Sequence, residues 1–198
     1  MPAALPRALA TLAAALAAAH ALAQAPSAPL PPEPAPTPLP AEYSDASRKA
    51  YAAGLKEARE MIAQKRYDAA IARLEALSRE RPREPQARFL KSVAQSEAGR
   101  PDDAVATLTA LAADFPELPE VHNNLAVLYA ARGSLELAKA ELELAIAASP
   151  DYAPAVENLG DVYARLAARQ YERAVALEKG KGPAPAKLKL VRDALAVR

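Results

Sequence analysis

The sequence predicts an all-α protein, a solenoid of helix-turn-helix repeats that ends in a C-terminal capping helix. Two observations support this prediction most strongly. Apolar residues recur with helical spacing, and the whole pattern recurs every 34 residues without a gap. The composition agrees, because alanine supplies much of the apolar content while the 198 residues include only two Phe and no Trp. Such side chains suit close helix–helix packing better than a bulky globular core.

The repeat is clearest in residues 119–152, where two short amphipathic helices are separated by Gly133 and ended by Pro150. The first helix has one face made of Leu125, Ala126 and Tyr129, and the second has one made of Ala138, Leu142, Ala145 and Ile146. Thirty-four residues earlier, the matching positions hold Gly99, Ala104, Leu108, Leu111 and Pro116. A further shift by the same distance reaches Ala70, Leu74, Leu77 and Pro82.

This pattern resembles the tetratricopeptide repeat family over roughly residues 51–180. The resemblance implies a right-handed α-solenoid in residues 44–180, with repeats near 51–84, 85–118 and 119–152 and a degenerate repeat in 153–180. Residues 181–198 are expected to form the capping helix. In the degenerate repeat, Glu172 occupies the position of Ala138, and good helix formers fill residues 155–179. We therefore expect the turn to be lost there, leaving one long helix.

Residues 1–23 have the pattern of a secretory signal peptide. Arg7 precedes an apolar run over residues 8–19, and Ala21 and Ala23 are small enough for signal peptidase, so cleavage is expected after Ala23. An uncleaved anchor is the alternative, which is disfavoured because the run is shorter than the ~20 residues of a membrane span. The mature chain is thus expected in the bacterial periplasm, without a transmembrane segment.

Residues 24–43 form a proline-rich linker, with eight prolines between residues 26 and 40. Proline lacks a backbone N–H and fixes φ, so an extended polyproline conformation is expected rather than a helix or a strand. The linker is either a semi-rigid spacer or a ligand for a proline-recognition domain.

Charge and residue types exclude several functional classes. The net charge is +1 without a basic stripe, which argues against a nucleic-acid partner. The absence of cysteine excludes disulfides and thiolate chemistry. His122 is the only histidine after residue 23, and a surface or packing role is favoured over metal binding. We expect no catalytic residue, no cofactor and no metal, and hence no enzyme.

The family resemblance also implies which residues line a concave groove formed by the first helices of the repeats. These are Leu55 and Ile62, together with Arg59, Phe89, Val93, Asn123, Asn124, Val127, Glu157, Asn158 and Asp161. In some relatives an asparagine at the positions of Asn124 and Asn158 binds the backbone of an extended peptide, for which an amide offers both a donor and an acceptor. The alternative is that these asparagines belong only to the scaffold.

The expected function is therefore a non-enzymatic scaffold in the bacterial periplasm that binds a protein or peptide partner in this groove. The alternative is a structural cell-envelope component that binds peptidoglycan, contacts a membrane surface, or organises an outer-membrane or secretion assembly. The basic residues of segment 179–189 could serve that alternative, although such a run is more often a solvated helix face.

Overall fold

The computed structural model describes residues 44–197, and this part of the chain contains eight α-helices and no strand. The helices are α1 (Asp45–Ala63), α2 (Tyr67–Glu80), α3 (Pro85–Glu97), α4 (Pro101–Asp114), α5 (Pro119–Ala131), α6 (Leu135–Ala148), α7 (Ala153–Leu177) and α8 (Ala184–Leu195). The predicted signal peptide and the proline-rich linker lie outside the described residues.

Prolines set most of the helix boundaries. Helices α3 and α5 begin at Pro85 and Pro119, positions at which a missing N–H removes no intrahelical hydrogen bond. The second helix of each repeat ends two residues before a proline, at Pro82, Pro116 and Pro150. The residue preceding each of these prolines leaves the helical conformation, as the clash with the proline ring requires.

The turn inside each repeat requires a left-handed backbone residue. Gly99 and Gly133 provide it with φ angles of 75° and 76°, and glycine adopts this conformation without steric strain. In the first repeat the same position is Lys65, with a φ of 58°. The turn is therefore kept in all three repeats, although only two of them have the residue that favours it.

Each helix packs against the next one along the chain, and α1 and α5 also contact α3 and α7, the first helices of the neighbouring repeats. The repeating apolar positions form the core: Ala70, Ala104, Ala138, Leu74, Leu108 and Leu142 are all buried. All three buried clusters combine helices from more than one repeat. The predicted architecture of stacked helix-turn-helix pairs is confirmed.

The fourth repeat has no internal turn, and α7 runs through it as one helix of 25 residues. Helix α8 packs against the C-terminal half of α7. There the Lys187 ammonium lies 5.9 Å from the centre of the Tyr171 ring, and Arg192 forms an ion pair of 2.7 Å with Glu172. Between residues 44 and 197, no helix is both long enough and apolar enough to span a bilayer.

Polar contacts join the turns of neighbouring repeats. Arg100 forms an ion pair of 2.7 Å with Asp68, and Arg132 forms one of 2.8 Å with Asp102. Arg169 of α7 donates a hydrogen bond of 3.1 Å to the backbone carbonyl of Gly133. Solvent weakens these exposed contacts, so the buried alanine and leucine positions dominate the stability of the stack.

Candidate functional site

The first helices of the repeats form a row of three pockets. The first pocket, of about 470 Å³, lies between α1, α3 and the start of α5. Its lining is mostly apolar and includes the charged residues Arg59 and Glu120; the lining residues are Arg59, Pro85, Gln86, Phe89, Leu90, Leu118, Glu120 and Val121. It is the largest of the three and is suited to an apolar side chain.

The second and third pockets continue the row along α5. The second, of about 200 Å³, is lined by residues of α3, α4 and α5 that include Val93, Asn124 and Val127. The third, of about 210 Å³, lies between α5, α6 and α7 and is lined by residues that include Val127, Asn158 and Asp161. Because Val127 lines both, the two pockets adjoin. Half of its surface remains exposed to solvent.

The predicted groove residues are distributed unevenly over this row. Leu55 and Ile62 were expected to line the groove, and this is wrong. Both are buried in the core cluster that α1 forms with α2 and α3, where removing large apolar side chains from water favours them. Asn123 is also buried. Glu157 is exposed and borders none of the three pockets.

A hydrogen bond between repeats orients Asn158, one of the two asparagines expected to bind a peptide backbone. The Asn158 side-chain N–H donates to the Asn123 side-chain oxygen at 2.8 Å, which links α7 to α5. Asn123 thus lies beneath the groove and positions Asn158 rather than facing solvent. An asparagine amide has two N–H groups and a carbonyl oxygen, so Asn158 keeps one donor and one acceptor for a ligand.

Charges differ along the row. The lining of the first pocket includes both Arg59 and Glu120. The third contains Asp161, which the sequence identified, and Arg165, which it did not. The signal for Arg165 was present, because a residue four positions after Asp161 lies on the same helix face.

A fourth pocket lies on the other side of the stack, between α2, α3 and α4, and the sequence did not indicate it. It measures about 410 Å³ and is lined by Glu75, Ser78, Arg79, Arg88, Lys91, Thr107 and Ala110. The Lys91 ammonium donates to Glu75 at 2.8 Å and lowers the pKa of that carboxyl. Arg88 is held by Asp114 at 2.6 Å. The two least exposed cations of this fourth pocket, Arg88 and Lys91, are therefore already neutralised by ion pairs.

His122 has a packing role, as predicted. It is buried, and its Nδ1 lies 2.8 Å from the Glu141 carboxylate of α6. In the part of the chain that the structure describes, no three His, Cys, Asp or Glu side chains converge as metal ligands would. Near the carboxyl end, Lys189 forms an ion pair of 2.6 Å with Asp193.

Solved structures with similar folds are peptide-binding and repeat proteins. The Yersinia enterocolitica type III secretion chaperone SycD, in complex with a peptide of the translocator YopD, is 15% identical with a TM-score of 0.54, covering 62% of this chain and 98% of that chain. The first tetratricopeptide repeat domain of Spaghetti (RPAP3), bound to an HSP90 peptide, is 18% identical with a TM-score of 0.54, covering 60% and 94%. The repeat protein TTC0263 of Thermus thermophilus is 25% identical with a TM-score of 0.54, covering 74% and 83%.

The sequence profile described as tetratricopeptide repeat matches twice, over residues 61–128 and residues 96–166, which together span more than half of the chain. No curated protein sequence matches. The matched residues include the buried alanine and leucine positions of the second and third repeats, and the fold agrees with the solved repeat proteins. The chain therefore belongs to the tetratricopeptide repeat family.

Proposed function

We propose that this chain is a non-enzymatic interaction module that binds an extended peptide segment of a partner protein along the row of three pockets. The observation that carries the proposal is the set of three pockets along α1, α3, α5 and α7, of which the second and third adjoin at Val127. Seven of the eleven groove residues expected from the sequence line it: Arg59, Phe89, Val93, Asn124, Val127, Asn158 and Asp161.

Two proteins of similar fold support this choice of ligand. The SycD structure contains a peptide of YopD, and the RPAP3 domain contains a peptide of HSP90. An extended peptide also suits the shape of the site, because three small openings in a row can each take a side chain of the same segment.

Pocket chemistry suggests how such a peptide would lie. The first pocket takes a bulky apolar side chain against Phe89 and Leu90, and Arg59 favours a neighbouring acidic residue. At the other end, Asp161 and the exposed Glu157 favour a basic residue, although Arg165 reduces that preference. Charge thereby fixes the direction of the peptide more than it adds affinity.

The asparagines provide the decisive test. Replacing Asn124 and Asn158 together by Ala should weaken peptide binding by about tenfold or more, because hydrogen bonds to the peptide backbone would be lost in a desolvated groove. Isothermal titration calorimetry with the partner peptide measures this, and helicity should remain unchanged. The matched control is Thr109→Ala, an exposed residue of α4 outside the four pockets. Wild-type affinity in the double variant would mean that the asparagines belong only to the scaffold.

A photo-crosslinking amino acid at Val127 identifies the partner in cells. Val127 is exposed and borders two pockets, so a bound segment would lie within reach. The same crosslinker at Ala140, an exposed residue on α6, is the control. Crosslinks that form at Ala140 and not at Val127 would place the partner elsewhere and contradict the proposal.

We further propose that the protein works in the bacterial periplasm, on the basis of the signal-peptide pattern in residues 1–23. Mass spectrometry of the protein from envelope fractions should find Gln24 as the first residue. An intact N-terminus at Met1 or Pro2 would contradict export by cleavage. The alternative of polymer binding by the basic C-terminal residues is less well supported, because Lys189 and Arg192 are paired with Asp193 and Glu172.

A further inference from the structure

One face of α7 is exposed to solvent, whereas the equivalent face of the first helix in each of the other three repeats is covered by a second helix. We call it the open face; it consists of Val156, Gly160 and Tyr163. Counting back in steps of 34 residues, its three positions correspond in the preceding repeats to His122, Ala126 and Tyr129, then to Arg88, Ser92 and Gln95, and then to Gly54, Ala58 and Met61.

In each complete repeat these positions contact the second helix of the same repeat. In the third, His122 meets Glu141 of α6 and Ala126 packs in one cluster with Ala138. In the second, α4 provides the partners of both Arg88 and Gln95, namely Asp114 and Thr107. In the first, a Cβ placed on Gly54 would lie 2.8 Å from Leu77 of α2. The covering element is always a helix.

The fourth repeat lacks that helix. His122 and Ala126 are 6% and 1% exposed, whereas their counterpart Val156 is 50% exposed, Gly160 is exposed, and Tyr163 is 48% exposed. Helix α8 does not take the vacant place, because Val156, Gly160 and Tyr163 remain exposed in its presence. Lys187 and Arg192 of α8 contact Tyr171 and Glu172, further along α7.

The sequence that follows is unsuited to covering this face within the same molecule. The second helices cross the first helices at Ala70, Ala104 and Ala138, which are fully buried. The residue at that position in the fourth repeat is Glu172, which is exposed and paired with Arg192. A glutamate at such a crossing would have to lose its hydration without a compensating partner.

We propose that the open face binds an amphipathic helix of a partner protein, which takes the place of the missing second helix. The three internal examples define its chemistry. The partner helix carries a small residue at the position equivalent to Ala138 of α6 and a leucine at the position equivalent to Leu142. In the third repeat, Glu141 of α6 contacts His122. Because Val156 replaces His122 in the fourth repeat, the partner helix carries an apolar residue at the position equivalent to Glu141. Gly160 has no side chain, so a partner helix can approach the backbone of α7 closely there. The space is free, because a Cβ added at Gly160 would meet no atom within 4 Å. This site is separate from the row of three pockets.

The test uses a peptide with the sequence of residues 134–150 of this chain carrying Glu141→Leu, cross-linked on its outward side to remain helical. Titrated into the full chain, it should shift NMR signals of α7 around Gly160. Gly160→Leu and Tyr163→Glu should each weaken binding by about tenfold or more. Both positions are exposed, so neither variant should unfold the protein.

Two controls accompany this titration. The same peptide with Ala138→Leu should bind about tenfold more weakly, because the crossing no longer fits. The Asn124→Ala/Asn158→Ala protein should bind it normally, which separates this site from the proposed peptide groove. Absence of binding, signal changes centred on α5 instead of α7, or sedimentation of a dimer that Tyr163→Glu dissociates would each overturn the proposal, the last by identifying a second copy as the occupant.

Discussion

At the scale of single residues, two glycines inside helices show how strongly the environment decides the role of one residue type. Gly54 is buried where α1 meets α2, and an added Cβ would lie 2.7 Å from the Arg73 guanidinium and 2.8 Å from Leu77. Gly160 lies on the exposed face of α7 with open space around it. The first is needed for packing within the chain, whereas the second has no packing contact there and lowers the stability of its helix.

Alanine at these two positions should therefore have opposite effects. Gly160→Ala should raise the free energy of unfolding by about 0.5–1 kcal/mol through helix propensity alone. At Gly54 the same gain is outweighed by overpacking of ~1–3 kcal/mol, because Leu77 is fully buried and cannot move aside. Urea unfolding followed by circular dichroism measures both values. Stabilisation by Gly54→Ala would show that α1 and α2 can separate without loss.

The side-chain contacts between repeats are the part of the site that could not be predicted from the sequence. The positions of Asn124 and Asn158 in the row of pockets were implied by the family resemblance. The bond from Asn158 to Asn123 was not, because it depends on the rotation of α7 relative to α5. For the same reason the burial of Leu55 was missed, since its counterparts differ in exposure from one repeat to the next.

At the scale of helices, the sequence predicted most of the elements and their ends. Prolines and glycines at fixed spacing marked the boundaries, and the glutamate at position 172 marked the loss of the last turn. Lys65 is the instructive exception. Its left-handed φ of 58° matches that of the two turn glycines, yet lysine gives no local signal for it. The turn there is closed by backbone hydrogen bonds of 2.8 Å from Lys65 to Ile62 and from Arg66 to Met61, and α1 packs against α2 on either side of it.

The crossing of the two helices in a repeat should tolerate only a small side chain. Ala138→Leu should reduce the free energy of unfolding by ~1–3 kcal/mol, because Ala138 is fully buried against α5. The matched control is Ala140→Leu on the exposed side of the same helix, which should leave thermal melting nearly unchanged. Equal melting temperatures for the two variants would show that the assignment of the helix faces is incorrect.

At the scale of the whole described stack, apolar exposure is uneven. Within residues 44–197 the exposed large apolar side chains all lie from Val127 onward: Val127, Leu137, Leu144, Val156, Tyr163, Leu177, Leu190 and Val197. The helices of the first two repeats contribute none of them. A repeat is stabilised mainly by its neighbours, so the two ends of the stack are not equivalent.

The rate at which backbone amide hydrogens exchange with solvent should depend on the position of each helix in the stack. Helices α3 to α6 have a neighbour on both sides and should exchange most slowly, whereas α8, which packs against α7 at the end of the stack, should open first. Hydrogen-exchange mass spectrometry of the native protein resolves this order. Protection of α8 equal to that of α5 would instead indicate that the stack opens only as a single unit.

The uninterrupted α7 also determines where such a chain could be lengthened. A further module of 34 residues inserted between Leu118 and Pro119 would find matching surfaces before and after it, because the flanking repeats are complete. A module appended after Leu177 would meet a helix without its hairpin partner. Interior duplication can thus extend the array, while its C-terminal border stays fixed.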